Sequence, residues 1–109
     1  MKIGFLGLGK MGAGLVEKGH EVLAWNRSTH PLKNVESIEV MIMGLTAGER
    51  IIWLMLPAGQ IVDDFILKIK PQLAKGDLVI DGGNSRYSDT LRRAKELEEA
   101  GIGYMDVGV

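Results

Sequence analysis

The sequence predicts an α/β fold built on a doubly wound parallel sheet of about five strands. Short apolar runs alternate with segments of helical spacing, as in chains whose strands are joined by crossover helices. The run 50–56 is apolar after its first residue, which is typical of a strand buried on both faces of a parallel sheet. A glycine-rich turn directly follows the first apolar run, and this placement favours a Rossmann-like topology.

The strands are predicted where apolar residues run together and end at turn residues. Their expected ranges are 2–7, 21–25, 50–56, 77–80 and 102–107. No internal repeat, low-complexity tract or linker interrupts them. We therefore expect a single domain over residues 1–109.

The helices are predicted from apolar residues spaced three and four positions apart. Their expected ranges are 10–18, 35–45, 60–70 and 89–100. Pro71 follows the third range and Gly101 follows the fourth, as helix-ending residues do. Between Trp25 and Arg50 there is room for one helix, whereas a full Rossmann half would hold a helix, a strand and a helix there.

Several side chains are expected to have structural roles only. The charged run from Arg92 to Glu99 is interpreted as a solvated helix face, with pairs such as Arg92 and Glu96 one turn apart. Tyr87 and Tyr104 are interpreted as packing or rim residues. Core positions are expected for Met41, Met43, Met55 and Trp53.

Composition excludes several classes of protein. The net charge of -1, with 25% charged residues, gives no electrostatic reason to bind nucleic acid or an anionic membrane. The absence of cysteine excludes a disulfide framework and thiolate metal sites. Met1 leads directly into a strand, and no apolar run approaches the ~20 residues of a membrane span. We expect a cytoplasmic protein without a metal site.

The first candidate binding segment is Gly7-Leu8-Gly9-Lys10-Met11-Gly12. In a dinucleotide-binding fold one glycine forms the tight turn, one lets the backbone approach a pyrophosphate, and one allows helix–strand packing. The N–H groups at the start of the following helix would bind the phosphates. The alternative is a glycine-rich turn that binds nothing. The position between a strand and an amphipathic segment favours dinucleotide binding.

The second candidate segment, Asn26-Arg27-Ser28, follows the second predicted strand. In NAD-binding folds an acidic side chain there holds the ribose 2′-hydroxyl, and this chain has no acid at that point. An amide, a guanidinium and a hydroxyl suit a 2′-phosphate instead, because a planar charged fork pairs with phosphate oxygens. The segment therefore predicts NADP as the cofactor. An ordinary turn with a solvated arginine is the alternative.

Further candidate segments follow the later strands: Leu56-Pro57-Ala58-Gly59, Asp81-Gly82-Gly83-Asn84-Ser85 and Asp106-Val107-Gly108. Paired glycines would let the backbone approach a ligand, and the Asn84 amide could both donate and accept hydrogen bonds. Equally, Asn84 or Ser85 could cap the next helix. The spacing alone leaves both interpretations open.

These segments, together with the predicted helix start Asp89-Thr90-Leu91-Arg92-Arg93, resemble the N-terminal cofactor-binding domain of the 6-phosphogluconate dehydrogenases, within the β-hydroxyacid dehydrogenase group. The resemblance covers nearly the whole chain, and Asp-Gly-Gly-Asn-Ser is its most specific part. The related 3-hydroxyisobutyrate dehydrogenases have a Ser-Thr-type sequence at that strand end. The asparagine motif therefore favours the sugar-acid branch.

The resemblance implies a role for each segment. Residues 7–12 would bind the pyrophosphate, and residues 26–28 would surround the 2′-phosphate of NADP. Residues 56–58 would lie against the cofactor toward its nicotinamide end. Asn84 would touch both the cofactor and the substrate.

The resemblance also implies an activity. Family members oxidise 6-phospho-D-gluconate with NADP and decarboxylate the keto intermediate to ribulose 5-phosphate and CO2, a step of the pentose phosphate pathway that uses no metal. Their lysine base and glutamate acid lie in a helical domain that follows this one. The substrate would be 6-phosphogluconate or a related sugar acid, and a homodimer is compatible with the resemblance.

The chain departs from the family pattern in three ways. It stops at Val109, where the family continues into a Ser-Gly-Gly substrate-binding segment. The first helix is about one turn short, and the helix–strand piece between Ser28 and Val35 is largely missing. We therefore expect the catalytic half to be absent and the 109-residue chain alone to lack turnover.

Two classes of function follow from these expectations. In the first, the chain is the cofactor-binding part of a dehydrogenase. In the second, it is a free-standing NADP(H)-binding module or truncated fragment without turnover. A third interpretation, another doubly wound nucleotide binder, requires the Asp-Gly-Gly-Asn-Ser match to be a coincidence.

Overall fold

The described part of the chain forms a five-stranded sheet in which neighbouring strands are parallel. A computed structural model describes residues 2–6, 21–25, 37–56, 59–82 and 87–107. The strand order is β2-β1-β3-β4-β5, which confirms the predicted doubly wound, Rossmann-like parallel sheet. The strands are β1 (Lys2–Leu6), β2 (Glu21–Trp25), β3 (Ile51–Leu54), β4 (Leu78–Asp81) and β5 (Gly103–Asp106).

Helical segments connect the later strands. The described helices are α1 (Ile38–Met43), α2 (Gln60–Ile69) and α3 (Tyr87–Glu98), and a 3-10 turn (Lys70–Gln72) follows α2. Each of the three helices overlaps its predicted range with one or both ends shifted, whereas the predicted helix 10–18 lies outside the described residues. None of the described helices is both long enough and apolar enough to cross a membrane.

Helix α1 is shorter than the predicted range 35–45. It begins at Ile38 because the Ser37 hydroxyl oxygen accepts a hydrogen bond from the Val40 N–H at 3.1 Å, which is N-cap geometry. At the other end, the Gly44 N–H donates to the Val40 carbonyl at 3.0 Å. Apolar spacing did not locate the start of the helix, because the apolar pattern continues past the Ser37 N-cap to Val35.

The three helices pack around a single core cluster on the sheet. The sheet contributes Ile52, Leu54 and Val79, and the helices contribute Met41, Ile66 and Leu97. Alternate residues of a strand face opposite sides of a sheet. Trp53 therefore faces away from this cluster and is only partly buried, so its predicted core position is not observed.

The core positions predicted for the two methionines of α1 have different outcomes. Met41 is fully buried in the core cluster, as predicted. Met43 is 79% exposed, so its predicted core position is wrong. Two residues along a helix rotate by about 200°, and this rotation places Met43 on the opposite side of α1 from Met41.

Candidate functional site

The carboxyl ends of the five strands form one aligned row. In the sheet register, Leu6 pairs with Trp25 on one side and with Leu54 on the other, and the row continues to Asp81 and Asp106. Each of these five residues is the last of its strand, and we call them the carboxyl row. Ligands of doubly wound folds bind outside the carboxyl ends of the strands. The residues that follow the carboxyl row are therefore the site candidates.

Four of the sequence-predicted segments begin at the carboxyl row or within two residues after it. Residues 7–12 follow β1, residues 26–28 follow β2, residues 56–59 begin two residues after the end of β3, and residues 81–85 begin with the last residue of β4. Neighbouring strands are about 4.8 Å apart, so these segments begin side by side. β2 lies on one side of β1, and β3, β4 and β5 follow one another on its other side. The strand order therefore reverses between β1 and β3, which is the topological switch point of the sheet.

Most of the predicted site residues lie outside the described part of the chain. These are Gly7 to Gly12, Asn26, Arg27, Ser28, Pro57, Ala58 and Asn84. Leu56 is described, is 8% exposed and belongs to the core cluster. Its side chain therefore packs into the core, and its contact with a cofactor stays a prediction.

Gly82, the first glycine of the Asp-Gly-Gly-Asn-Ser motif, is packed against protein. A Cβ at this position would lie 2.5 Å from Met55 Sδ and 2.7 Å from Trp53 Nε1. The Gly82 N–H donates to the Leu54 carbonyl at 2.8 Å. The missing side chain at Gly82 therefore serves packing between the ends of β3 and β4, in addition to any approach to a ligand.

A buried polar cluster lies at the carboxyl end of β4. Asp81 is fully buried, and its Oδ2 accepts a hydrogen bond from the Tyr104 hydroxyl at 2.8 Å. Arg93 of α3 is also fully buried and places Nη1 3.6 Å from the same oxygen. Buried charges are stable only when they are paired and hydrogen-bonded. Asp81 therefore anchors the start of its motif inside the protein.

Arg93 also reaches the amino end of α2. Its Nε donates to Asp63 Oδ1 at 2.9 Å, and its Nη2 donates to Asp63 Oδ2 at 3.2 Å, which is a bidentate pair. Nη2 donates as well to the Gly59 carbonyl at 3.1 Å. One guanidinium thus joins α3 to the end of β4 and to the start of α2. We call Asp63, Asp81, Arg93, Tyr104 and the Gly59 carbonyl the Arg93 cluster.

Sequence reasoning missed the Arg93 cluster. The interpretation of the charged run as a solvated face is correct for Arg92, whose side chain is 46% exposed and 3.8 Å from Glu96. It is wrong for Arg93, whose side chain is 0% exposed. A signal was present, because Arg93 lies four residues before buried Leu97 and so shares its helix face. The sequence held no signal that pointed to Asp63 as the partner.

The cluster shifts the proton affinities of its members. The hydrogen bond from Arg93, opposed by burial, lowers the pKa of Asp63 to about 2. The same bond raises the pKa of Arg93, and burial followed by the hydrogen bond to Asp81 raises the pKa of Tyr104. At neutral pH the cluster therefore contains a guanidinium cation, ionised Asp63 and a neutral phenol that donates to Asp81.

We expect acid to weaken the fold through Asp63. Its folded pKa of about 2 lies below the ordinary value of 3.8, so it contributes stability above about pH 4 and loses it as pH falls through about 2. The shift corresponds to about 2 kcal/mol. Urea unfolding of the unaltered chain and of Asp63→Asn, measured between about pH 6 and about pH 2, tests this expectation. The unaltered chain should lose more stability than Asp63→Asn over that range, and equal losses would contradict the assignment.

Comparison with known proteins identifies the family. The family model described as the NAD binding domain of 6-phosphogluconate dehydrogenase matches residues 2–109. The chain belongs to this family. The match agrees with the predicted resemblance and with a sheet whose motifs follow its carboxyl row.

Individual relatives support the same assignment. The decarboxylating 6-phosphogluconate dehydrogenase of Treponema pallidum is 43% identical over 124 residues, which cover 98% of this chain and 25% of that protein. The NAD(+)-dependent, decarboxylating 6-phosphogluconate dehydrogenase of Bacillus subtilis is 38% identical over 123 residues, which cover 98% of this chain and 26% of that protein. The chain therefore spans about a quarter of the length of these relatives.

A solved structure shares the fold. It is the 6-phosphogluconate dehydrogenase of Plasmodium falciparum, described in its apo form, with its cofactor NADP+ and with its substrate 6-phosphogluconate. The TM-score is 0.81 at 30% identity, and the match covers 95% of this chain and 26% of the other. This NADP-binding neighbour and the NAD-dependent relative show a nicotinamide-dinucleotide domain without deciding between the two cofactors.

The length of the sequence alignments bears on the predicted departures from the family. Alignments of 124 and 123 positions are longer than the 109-residue chain. Each relative therefore has residues that this chain lacks inside the aligned region. This agrees with the expectation that the chain has shortened segments.

Proposed function

We propose that this chain is the NADP-binding domain of a cytoplasmic enzyme that oxidises and decarboxylates 6-phosphogluconate or a related sugar acid. Membership of the family supports the class of reaction. The absence of cysteine is compatible with a reducing compartment. The order of the strands in space is the observation that carries the proposal.

The strand order β2-β1-β3-β4 arranges the candidate segments like the groups of the cofactor. In the order of the strands across the sheet, residues 26–28 come first, then 7–12, then 56–59, and then 81–85. The implied roles in that order are 2′-phosphate, pyrophosphate, nicotinamide and substrate. The three cofactor groups follow one another in this order along NADP, and the substrate, which donates the hydride, lies beyond the nicotinamide. The segments themselves occur in a different order along the chain. The agreement supports one extended cofactor lying across the carboxyl row.

The proton chemistry of the reaction is assigned to a further domain. Oxidation of a hydroxyl by hydride transfer needs a base within hydrogen-bond reach of that hydroxyl. The Asn84 amide can orient a substrate but cannot accept a proton at neutral pH. A following helical domain with a lysine base and a glutamate acid would complete the site, so the chain by itself should bind the cofactor without turnover.

We expect the chain to bind NADP ~10- to 100-fold more tightly than NAD. A hydrogen bond to a charged group contributes roughly 1.5–3 kcal/mol, and only NADP offers Arg27 a 2′-phosphate. Calorimetric titration of both cofactors into the unaltered chain and into Arg27→Asp measures the preference. The variant should bind NAD at least as tightly as before and lose the preference for NADP. Equal affinities in the unaltered chain would contradict NADP as the cofactor.

A further inference from the structure

We propose that Arg93 is a positioning residue for the nicotinamide half of the cofactor site. The inference rests on the proposed function, because it takes Pro57, Ala58 and Asn84 to contact that half of the cofactor. Arg93 is fully buried and does not face the cofactor itself. It acts by holding the chain at the ends of the two segments that contain these residues.

The first segment, residues 57–58, ends at Gly59. The Gly59 backbone has φ of 114° and ψ of -148°, a conformation that is essentially confined to glycine. Its carbonyl accepts the hydrogen bond from Arg93 Nη2, and Asp63 in the first turn of α2 pairs with the same guanidinium. Arg93 therefore fixes the chain where the segment after β3 joins α2.

The second segment, residues 83–86, contains Asn84 and is bounded by Gly82 and by the first residue of α3. Arg93 belongs to α3, and its Nη1 lies 3.6 Å from Asp81 Oδ2, next to Gly82 in the chain. The guanidinium thus links Asp81, which precedes this segment, to α3, which follows it. A single side chain therefore connects described residues next to both segments.

The planar fork of arginine is what allows this arrangement. Arg93 directs separate N–H groups to Asp63, to the Gly59 carbonyl and toward Asp81. A lysine would keep the positive charge, but as a compact ammonium on a flexible chain it cannot reproduce the bidentate pair. Arg93→Lys therefore removes the bidentate geometry of the cluster while it keeps the positive charge.

The test compares two ligands that share the adenosine half of the cofactor. NADP contains the nicotinamide, whereas adenosine 2′,5′-diphosphate contains the 2′-phosphate without it. In Arg93→Lys we expect the affinity for NADP to fall about tenfold or more and the affinity for adenosine 2′,5′-diphosphate to stay within about twofold. Lys95→Arg is the control, because Lys95 lies on the same helix and is exposed, and it should change neither affinity.

The outcomes separate positioning from a purely structural role. An equal loss for both ligands, or no loss for NADP, would overturn the inference while leaving the proposed function standing. If the unaltered chain bound neither ligand, the proposed function would fail and the inference with it. Should Arg93→Lys not fold by circular dichroism, Tyr104→Phe removes the hydrogen bond to Asp81 with little change in volume. That variant should show the same selective loss for NADP, and an unselective effect there would overturn the inference.

Discussion

Replacing Asp77 by alanine is expected to cost about 3–5 kcal/mol of the free energy of unfolding. Asp77 is 1% exposed and lies just before β4, at the opposite end of that strand from the Arg93 cluster. Its Oδ1 accepts hydrogen bonds from the Gly48 and Arg50 N–H groups at 2.8 and 3.0 Å. Its Oδ2 accepts from the Ala74 N–H at 2.7 Å and from Arg50 Nη1 at 3.1 Å.

The expected cost is large because the substitution removes the acceptor for several part-buried donors at once. Burial opposes ionisation of Asp77, but hydrogen bonds from Ala74 and Arg50 outweigh it and hold its pKa below the ordinary value. Without the carboxylate, three backbone N–H groups and the Arg50 guanidinium, whose side chain is 12% exposed, lose this acceptor. Domains commonly have only about 5–15 kcal/mol of stability in total, so the variant should be close to unfolding.

Urea unfolding at neutral pH measures this effect. The matched control is Asp64→Ala, because Asp64 is exposed and accepts a hydrogen bond from Gln60 on the surface of α2. It should change the free energy of unfolding by less than about 0.5 kcal/mol. A cost below about 1 kcal/mol for Asp77→Ala would show that the buried carboxylate does not hold the loops at this end of the sheet.

Gly9→Val is expected to abolish measurable NADP binding, with a loss of at least about 100-fold. A branched side chain would stand where the backbone must approach the pyrophosphate, and valine cannot adopt the positive φ angles that glycine allows. The fold itself should persist, so the far-UV circular dichroism should not change. Calorimetric titration with NADP is the measurement.

The control for Gly9→Val introduces the same valine side chain elsewhere. Ala100→Val introduces a valine at an exposed residue just before β5, at the amino end of the sheet. It should bind NADP like the unaltered chain. Retained binding in Gly9→Val would mean that the glycine-rich segment is only a turn.

The strands and the ligand-binding edge of the sheet were predictable because they depend on local patterns. Apolar runs identified the strands, and the glycine-rich segment after the first run identified the edge at which a ligand would bind. The carboxyl row confirms that the predicted segments begin at one edge of the sheet. These features need only neighbouring residues to be recognised.

The buried polar contacts were not predictable because their partners are far apart in sequence. Asp77 directly precedes β4 and Asp81 is its last residue, so the two look alike in the sequence. Asp77 binds backbone groups 27 and 29 residues away, whereas Asp81 accepts from Tyr104, 23 residues away. The partners of each carboxylate are decided by how the helices and loops pack on the sheet, which residue spacing does not encode.

We expect NADP to bind along the carboxyl row. Titration of the isotope-labelled chain with NADP, followed by amide chemical shifts in nuclear magnetic resonance spectra, locates the bound cofactor on the sheet. The largest shifts should occur at and next to the row, among them those of Leu6, Trp25 and Gly82. Amides at the amino end of the sheet, such as those of Gly48 and Asp77, should barely move. Largest shifts at the amino end, or no shifts at saturating NADP, would mean that the cofactor does not bind along the carboxyl row.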